Sequence, residues 1–431
     1  MMCELVIETL THGGNGLGRL DGKAVFVPGT APGDRIRCRI AKQHKRHAEG
    51  VVEALLEPSP QRRTPPCPVS AECGGCQWQH LHYPAQLEAK QGIFHGLLQR
   101  QGGVPTAALR PLVSAPDQWH YRSRVQFKCR QTEQGFVIGF YRPASHYVVD
   151  VAQCPVLDPR LNQALQRFRF WLSRGPNPDR IPQVDMAVGD GGQVRIVVHF
   201  IGEDSRSLAA WLTPRAAEAG YALFLQTGRK SSLQQLLGPE ELWIEVGTPP
   251  LTLGYGPGGF AQVNLAQNRA LVEAALKAAA LQGGERVLDL YCGMGNFSLP
   301  LARHCRSVLG VEDYPPSIAS ALRNAANNRL DNAAFLARPA EGVLSQEVRH
   351  LYDLVLLDPP RSGAYPVMRE LLQVRPPRVI YISCDPATLA RDLVPLQHGG
   401  YRVVSCQPFD LFPQTYHVES LTLLEWQGTA A

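Results

Sequence analysis

The sequence predicts an α/β protein: a doubly wound, Rossmann-like parallel sheet at the C-terminal end, a small OB-like β-barrel at the N-terminal end, and a central α+β domain between them. Three observations predict it. Beyond residue 265 a helical stretch, NRALVEAALKAAAL (268–281), precedes four apolar runs, RVLDLY (286–291), SVLGVE (307–312), LVLLD (354–358) and RVIYIS (378–383). Strands alternating with helical segments imply a parallel sheet. The first 58 residues hold short β-rich runs, ELVIETL (4–10), AVFVPG (24–29) and VVEALL (51–56), punctuated by the glycine-rich segment Gly13–Gly18, which is the turn spacing of a small barrel. Between about 83 and 250, strands such as YRSRVQFKC (121–129) and QVRIVVHFI (193–201) mix with helical stretches such as 157–172. A proline-rich stretch from Pro58 to Pro66 reads as a linker. The domains are therefore read as 1–58, 59–255 and 256–431, as expected of 431 residues at about 150 per domain.

The composition, 44% hydrophobic and 19% charged, gives each domain a core and excludes disorder, collagen and coiled coil. Net charge is +5, unevenly spread: residues 1–130 carry 17 Lys or Arg against 10 Asp or Glu, and the remainder 26 against 28. Arg35, Arg37, Arg39, Lys42, Lys45 and Arg46 form a basic run with no acid among them, a surface that attracts polyanions. A barrel with a basic face is a platform for single-stranded nucleic acid. Arg122, Arg124, Lys128 and Arg130 share one face of a strand, with Tyr121 and Phe127 opposite, and bases beside aromatics are consistent with single-stranded RNA. The opening MMCELVIETL has no basic region leading into a long apolar stretch, and no run of about 18 apolar residues occurs. The expectation is a cytoplasmic monomer without membrane association. There, eleven cysteines serve as metal ligands, nucleophiles and small core residues, not as disulfides.

The segment Val287–Asn296 reads as a buried strand running into the Gly293-Met294-Gly295 turn and then a helix, the position at which open α/β sheets bind ligands. A dinucleotide site would place a third glycine where Ser298 stands. Glu312 ends the next strand, where its carboxylate can take both hydroxyls of a ribose. A glycine turn between two acids suits S-adenosylmethionine, which has a ribose and a cationic sulfonium but no phosphate.

Leu357-Asp358-Pro359-Pro360-Arg361 follows a second buried strand. An acid-Pro-Pro loop can hold a flipped-out base, but Arg361 takes the place of the stacking aromatic that amino-methylating enzymes use. The next strand ends in Ile382-Ser383-Cys384-Asp385-Pro386, placing Cys384 at the same sheet edge. A cysteine there has a specific use, because carbon 5 of uracil becomes nucleophilic only when a thiolate adds to carbon 6. A base must afterwards remove the proton on carbon 5; Glu419 is the candidate and His417 its rival. Cys67-x5-Cys73-x2-Cys76, with Cys154 78 residues later, supplies four thiolates that suit tetrahedral zinc or a [4Fe-4S] cluster.

GFAQVN (259–264), DLYCGMGNFSLPLA (289–302), LLDPPRSG (356–363), YISCDPATLARD (381–392) and LFPQTYHVES (411–420) resemble the RNA uracil-5-methyltransferases. The likeness covers essentially the whole chain and is nearest to the bacterial 23S ribosomal RNA enzymes that carry a TRAM domain and an iron-sulfur cluster. The resemblance implies an S-adenosylmethionine-dependent methyltransferase domain at 256–431 and an RNA-binding TRAM barrel at 1–58. It also implies Cys384 as nucleophile, Glu419 as base, and Gln262, Tyr291, Asn296, Glu312 and Asp358 as cofactor contacts. For Cys67, Cys73, Cys76 and Cys154 it implies a [4Fe-4S] cluster, since the segments 74–80 and 150–155 look like the family's cluster segments. The substrate implied is a loop or opened segment of 23S ribosomal RNA, with transfer RNA as the alternative. Two departures from the family pattern stand out. Pro339 occupies a place where an Asn often contacts the cofactor, so that contact is lost or passes to Glu341. Asp385 replaces the Asn common after the nucleophile.

Overall fold

The computed structural model describes residues 1–228, 232–346 and 352–428. Strands β1 (Met2–Leu10), β2 (Gly16–Leu20), β3 (Lys23–Val27), β4 (Arg35–Gln43) and β5 (His47–Glu57) close into a barrel in the order β1-β2-β3-β5-β4. Period-two alternation puts Ile36 and Cys38 of β4 inside and Arg35, Arg37 and Arg39 outside. The outward arginines are partly neutralised: Arg35 meets Glu57 at 2.5 Å and Glu4 at 3.1 Å, and Arg39 meets Glu53 at 2.6 Å. Lys42, Lys45 and Arg46 have no carboxylate partner among the described residues, so the excess charge concentrates at the β4–β5 hairpin.

Helix α1 (Tyr83–Arg100) precedes a mixed sheet built from β6 (Arg124–Thr132), β7 (Gly135–Tyr141), β8 (Val148–Asp150), β9 (Gln183–Val188), β10 (Val194–Phe200), β11 (Ala222–Thr227) and β12 (Leu233–Leu237). Their order is β12-β11-β10-β9-β6-β7-β8. Helices α2 (Pro159–Arg174) and α3 (Ser205–Glu218) bury Phe168, Leu172, Leu208 and Leu212 in the same core as Phe127, Ile196 and Leu223 of this sheet. A separate hairpin, β13 (Leu242–Val246) and β14 (Leu251–Tyr255), follows.

The C-terminal sheet comprises β15 (Arg286–Leu290), β16 (Ser307–Glu312), β17 (Ala333–Ala337), β18 (Leu354–Leu357), β19 (Arg378–Ser383), β20 (Tyr401–Phe409) and β21 (Glu419–Trp426). It runs β17-β16-β15-β18-β19-β21-β20, with β15 to β19 parallel and β21 antiparallel to both neighbours. Helices α4 (Leu265–Ala279), α5 (Ser298–Ala302), α6 (Pro315–Asn327), α7 (Val343–Gln346), α8 (Tyr365–Val374) and α9 (Pro386–His398) flank it. All of β18 is buried, as expected of a strand covered on both faces.

The cores do not follow the chain in linear blocks. Phe94 and Leu98 of α1, with Val104 and Ala108, share a core with Leu357, Tyr381 and Leu393. Leu109 and Val113 bridge to Cys406 and Phe409 of β20. Residues of β13 and β14 likewise pack with β15 and α4. Helix α1, residues 104–113 and the β13–β14 hairpin, all before residue 256, thus pack into the cores around the C-terminal sheet. Among the described residues no helix is long and apolar enough to cross a membrane.

Candidate active site

The carboxyl ends of four neighbouring parallel strands supply the site, as expected for an open α/β sheet. At the end of β15 the chain passes through left-handed backbone at Tyr291 (φ 64°) and Gly293 (φ 56°). This turn lets the amide of Gly293 donate to Oε2 of Glu312 at 3.3 Å. The amide of Tyr314 donates to the other oxygen at 3.0 Å. Burial, reinforced by Asp313, raises the Glu312 carboxyl above its ordinary range. Beneath the turn, the fully buried Asp289 accepts the Ser298 hydroxyl at 2.5 Å, and burial pushes its carboxyl up to about 7.

Cys384 stands between β19 and α9, where Asp385 caps the helix by accepting the amides of Ala387 and Thr388 at 2.9 and 3.0 Å. Burial, then the nearby Glu419 and Asp358 carboxyls, push the Cys384 thiol up to about 12, against the pull of Arg361. Glu419 opens β21, is 2% exposed, and its Oε1 has no hydrogen-bond partner among the described residues. Burial and then Asp358 raise it well above the usual carboxylate range. Asp358 itself is raised to about 7 by burial and by Asp289. His417 is driven down to about 4 by burial and Arg361. It is therefore neutral at pH 7, and the Arg361 guanidinium lies 3.1 and 3.2 Å from its two ring nitrogens.

Six of the seven residues assigned to catalysis and cofactor binding, Gln262, Tyr291, Glu312, Asp358, Cys384 and Glu419, line one cavity of about 650 Å³. Asn296 does not. Its side chain turns toward α4 and pairs with Asn268 through two hydrogen bonds of 2.8 and 3.0 Å. Pro339 and Glu341 both line the cavity, and Glu341 accepts the Tyr291 hydroxyl at 3.1 Å. Sequence reasoning missed Phe260 as a wall residue although it lies in a quoted motif; its ring is 59% exposed at the cavity. The wall carries five carboxyl groups, on Glu312, Asp313, Glu341, Asp358 and Glu419, against the single guanidinium of Arg361. Such a wall favours a cationic ligand.

Residues 82–427 match the family described as tRNA (Uracil-5-)-methyltransferase, and residues 3–52 match the TRAM domain. The chain belongs to the uracil-5-methyltransferase family. It is 37% identical to the 23S rRNA (uracil(1939)-C(5))-methyltransferase RlmD of Alkalilimnicola ehrlichii, over 98% of this chain and 96% of the relative. The corresponding protein of Thiobacillus denitrificans is 38% identical, over 97% and 98%. The fold matches the crystal structure of Pyrococcus abyssi tRNA (uracil-54, C5)-methyltransferase in complex with S-adenosyl-L-homocysteine. That match has a TM-score of 0.75 and 24% identity, covering 98% of this chain and all of the other.

In this uracil-5-methyltransferase the four predicted metal ligands lie near enough to influence one another without closing into a tight ligand set. Cys67 and Cys154 are buried, Cys73 and Cys76 half-buried, and none of the four is in a disulfide. Burial lifts all four thiols, Cys76 to about 12 and Cys154 to about 11; Cys67 adds to the rise at Cys73, Cys67 and Cys73 to that at Cys154, and all three others to that at Cys76. The only described group that brings three ligand atoms within 4.8 Å of one another is His44, His47 and Glu49 on the β4–β5 hairpin. No three of the four sulfurs are that close. Asn162 fixes Cys154 by accepting its amide at 2.9 Å and donating to its carbonyl at 3.0 Å.

The predicted basic strand is less open than its spacing suggested. Arg124 donates to the carbonyl of Gly259 at 2.9 Å and Arg122 to that of Arg124 at 3.0 Å. Tyr121 and Phe127 are buried, so neither is available to stack on RNA. The opposite face of β6 is core because α2 packs there.

Proposed function

We propose that this uracil-5-methyltransferase transfers a methyl group from S-adenosylmethionine to carbon 5 of one uridine in 23S ribosomal RNA. Cys384 acts as nucleophile and Glu419 as general base. The observation that carries the reading is the cavity that joins Cys384, Asp358 and Glu419 to Glu312. Glu312 and Cys384 end strands three places apart in the sheet, a separation of about 14 Å, room for a nucleoside cofactor beside a flipped base.

S-adenosylmethionine supplies an electrophilic methyl on a sulfonium, and the carboxyl-rich wall suits that cation. Gln262, Tyr291, Glu312 and Asp358 would hold it, with Glu312 on the ribose; Asn296, bonded to Asn268, serves the turn from behind. The Cys384 thiolate adds to carbon 6 of the flipped uracil, and the electrons of the carbon 5–carbon 6 bond move to form an enolate. Carbon 5 takes the methyl group as the methyl–sulfur bond breaks, its electron pair staying on sulfur so that S-adenosylhomocysteine leaves. Glu419 then removes the proton from carbon 5, the double bond re-forms and the thiolate departs. Arg361 is the cation that favours both the thiolate and the ionised Glu419. His417 is a weaker candidate for the base, because its ring faces Arg361 while Glu419 keeps an oxygen without a partner.

Cys67, Cys73, Cys76 and Cys154 would hold a [4Fe-4S] cluster. Tetrahedral zinc at about 2.3 Å from each thiolate needs sulfurs about 3.8 Å apart, whereas no three of these lie within 4.8 Å of one another; a cube of iron and sulfide accepts wider ligands. Bound there, the cluster would supply a structural crosslink, and thiolate ligands would call for a reducing compartment such as the cytoplasm.

Relatives named for 23S rRNA over nearly their full length, together with the TRAM domain, support the ribosomal substrate. Mapping 5-methyluridine in ribosomal and transfer RNA from a deletion strain tests it. One 23S position is expected to lose its methyl; loss confined to transfer RNA would reassign the substrate.

A further inference from the structure

Glu419 is reached through the loop 410–418 between β20 and β21, and that loop is held almost entirely by residues from the first 121 positions. Lys90 donates to Asp410 at 2.5 Å, with both side chains fully buried, and to the carbonyl of Phe412 at 3.0 Å. Tyr83 donates to Asp410 at 2.9 Å and Tyr121 to the carbonyl of Pro413 at 2.9 Å. The hub is Gln414. It is fully buried and has left-handed backbone, φ 71°, which a residue with a side chain adopts only when its surroundings impose it. Its carbonyl accepts the amides of Gln77 and Trp78 at 3.1 and 2.9 Å, directly after the metal-ligand candidate Cys76. Its Oε1 accepts Arg63 at 2.8 Å and Gln86 at 2.9 Å, and its main-chain N–H donates back to Oε1 of Gln86 at 2.9 Å. On the far side of the same segment, the Trp78 indole donates to the carbonyl of Gly14 in the barrel at 2.9 Å.

We propose that Gln414 is a positioning residue through which the cysteine-bearing segment and helix α1 aim Glu419 at carbon 5. The inference rests on the reading of Glu419 as the base. Nucleophilic addition belongs to Cys384 on the separate turn after β19, so Gln414 governs the proton removal that frees the thiolate and leaves adduct formation alone.

The test uses the full-length protein with its metal in place. Gln414→Gly suits the left-handed backbone and retains every main-chain contact, and a thermal melt checks that it folds. Displacing a catalytic group by a fraction of an ångström costs about ten- to a hundredfold, and kcat is expected to fall by that factor. The KM for S-adenosylmethionine and the RNA Kd stay within about twofold of wild type, since neither ligand touches the hub. Ordinary, unfluorinated RNA accumulates as a denaturation-resistant adduct during turnover. Gln414→Glu, which keeps the acceptor for Arg63 and Gln86, recovers most of the wild-type kcat. An unchanged kcat in Gln414→Gly, or a loss shared equally by adduct formation and release, overturns the proposal. A wild type that forms no adduct with 5-fluorouridine RNA overturns the function and this proposal together, which separates the two failures.

Discussion

The two halves of the cavity are built differently. Apart from Gln262, which leads into α4, the proposed cofactor half comes from turns that directly follow β15, β16 and β18, and those groups sit within a few residues of the strand that positions them. The proton-transfer half is assembled across the whole chain: the loop leading to Glu419 is fixed by partners more than 300 residues away, such as Lys90 and Arg63. Local turns make a cofactor site that any sheet of this order could carry. Distant contacts tie Glu419, the proposed base, to the N-terminal barrel, the cysteine segment and α1.

Mutations at the two halves break this contrast in different ways. The largest effect is expected at Glu419→Gln, which should lower turnover about 10³-fold, within the range for a lost general base, while methyl transfer proceeds and covalent RNA accumulates on denaturing gels. Free product at the normal rate would assign the base elsewhere. Lys90→Met leaves Asp410 buried without its cation, and should cost about 3–5 kcal/mol of stability in a denaturant titration. A loss below about 1 kcal/mol would mean that the Tyr83 hydroxyl alone sustains Asp410.

On the cofactor side the effects are smaller and confined to binding. Glu312→Ala removes charge-assisted hydrogen bonds and should weaken S-adenosylmethionine about 10- to 100-fold by calorimetry. Asn296→Ala should change it by less than about threefold, because the paired side chains of Asn296 and Asn268 lie outside the cavity. Equal losses would place Asn296 on the ligand. The pH profile gives the most gradual signal. Burial pushes the Cys384 thiol up to about 12, so the reactive thiolate grows with pH. The ratio kcat/KM should then rise by up to about tenfold per unit from pH 6.5 to 8.5; a flat profile would mean that RNA binding itself ionises the thiol.

The same contrast explains what the sequence disclosed. The glycine turn, Glu312, Asp358 in its acid-Pro-Pro loop and Cys384 were legible because each follows an apolar run in the order a parallel sheet requires. The barrel was legible from its alternating strands; for the four cysteines the spacing suggested a shared metal, and no three of their sulfurs lie within 4.8 Å of one another. Asn296 was not legible, since the direction of its side chain depends on how the turn meets α4. Tyr121 and Phe127 looked like stacking partners because alternation shows two faces of a strand without telling which one a helix covers. Gln414 was invisible for a different reason: nothing near it in sequence records that Gln86 and Arg63 close on it from 328 and 351 residues away.

The most direct test of the central claim is trapping with RNA containing 5-fluorouridine in the presence of S-adenosylmethionine, followed by mass spectrometry of the crosslinked peptide. Fluorine cannot leave carbon 5 as a proton does, so the wild type should stall as a one-to-one adduct carrying both the methyl group and the nucleotide on Cys384, and Cys384→Ala should yield none. An adduct that survives Cys384→Ala, or one mapped to another cysteine, would contradict it.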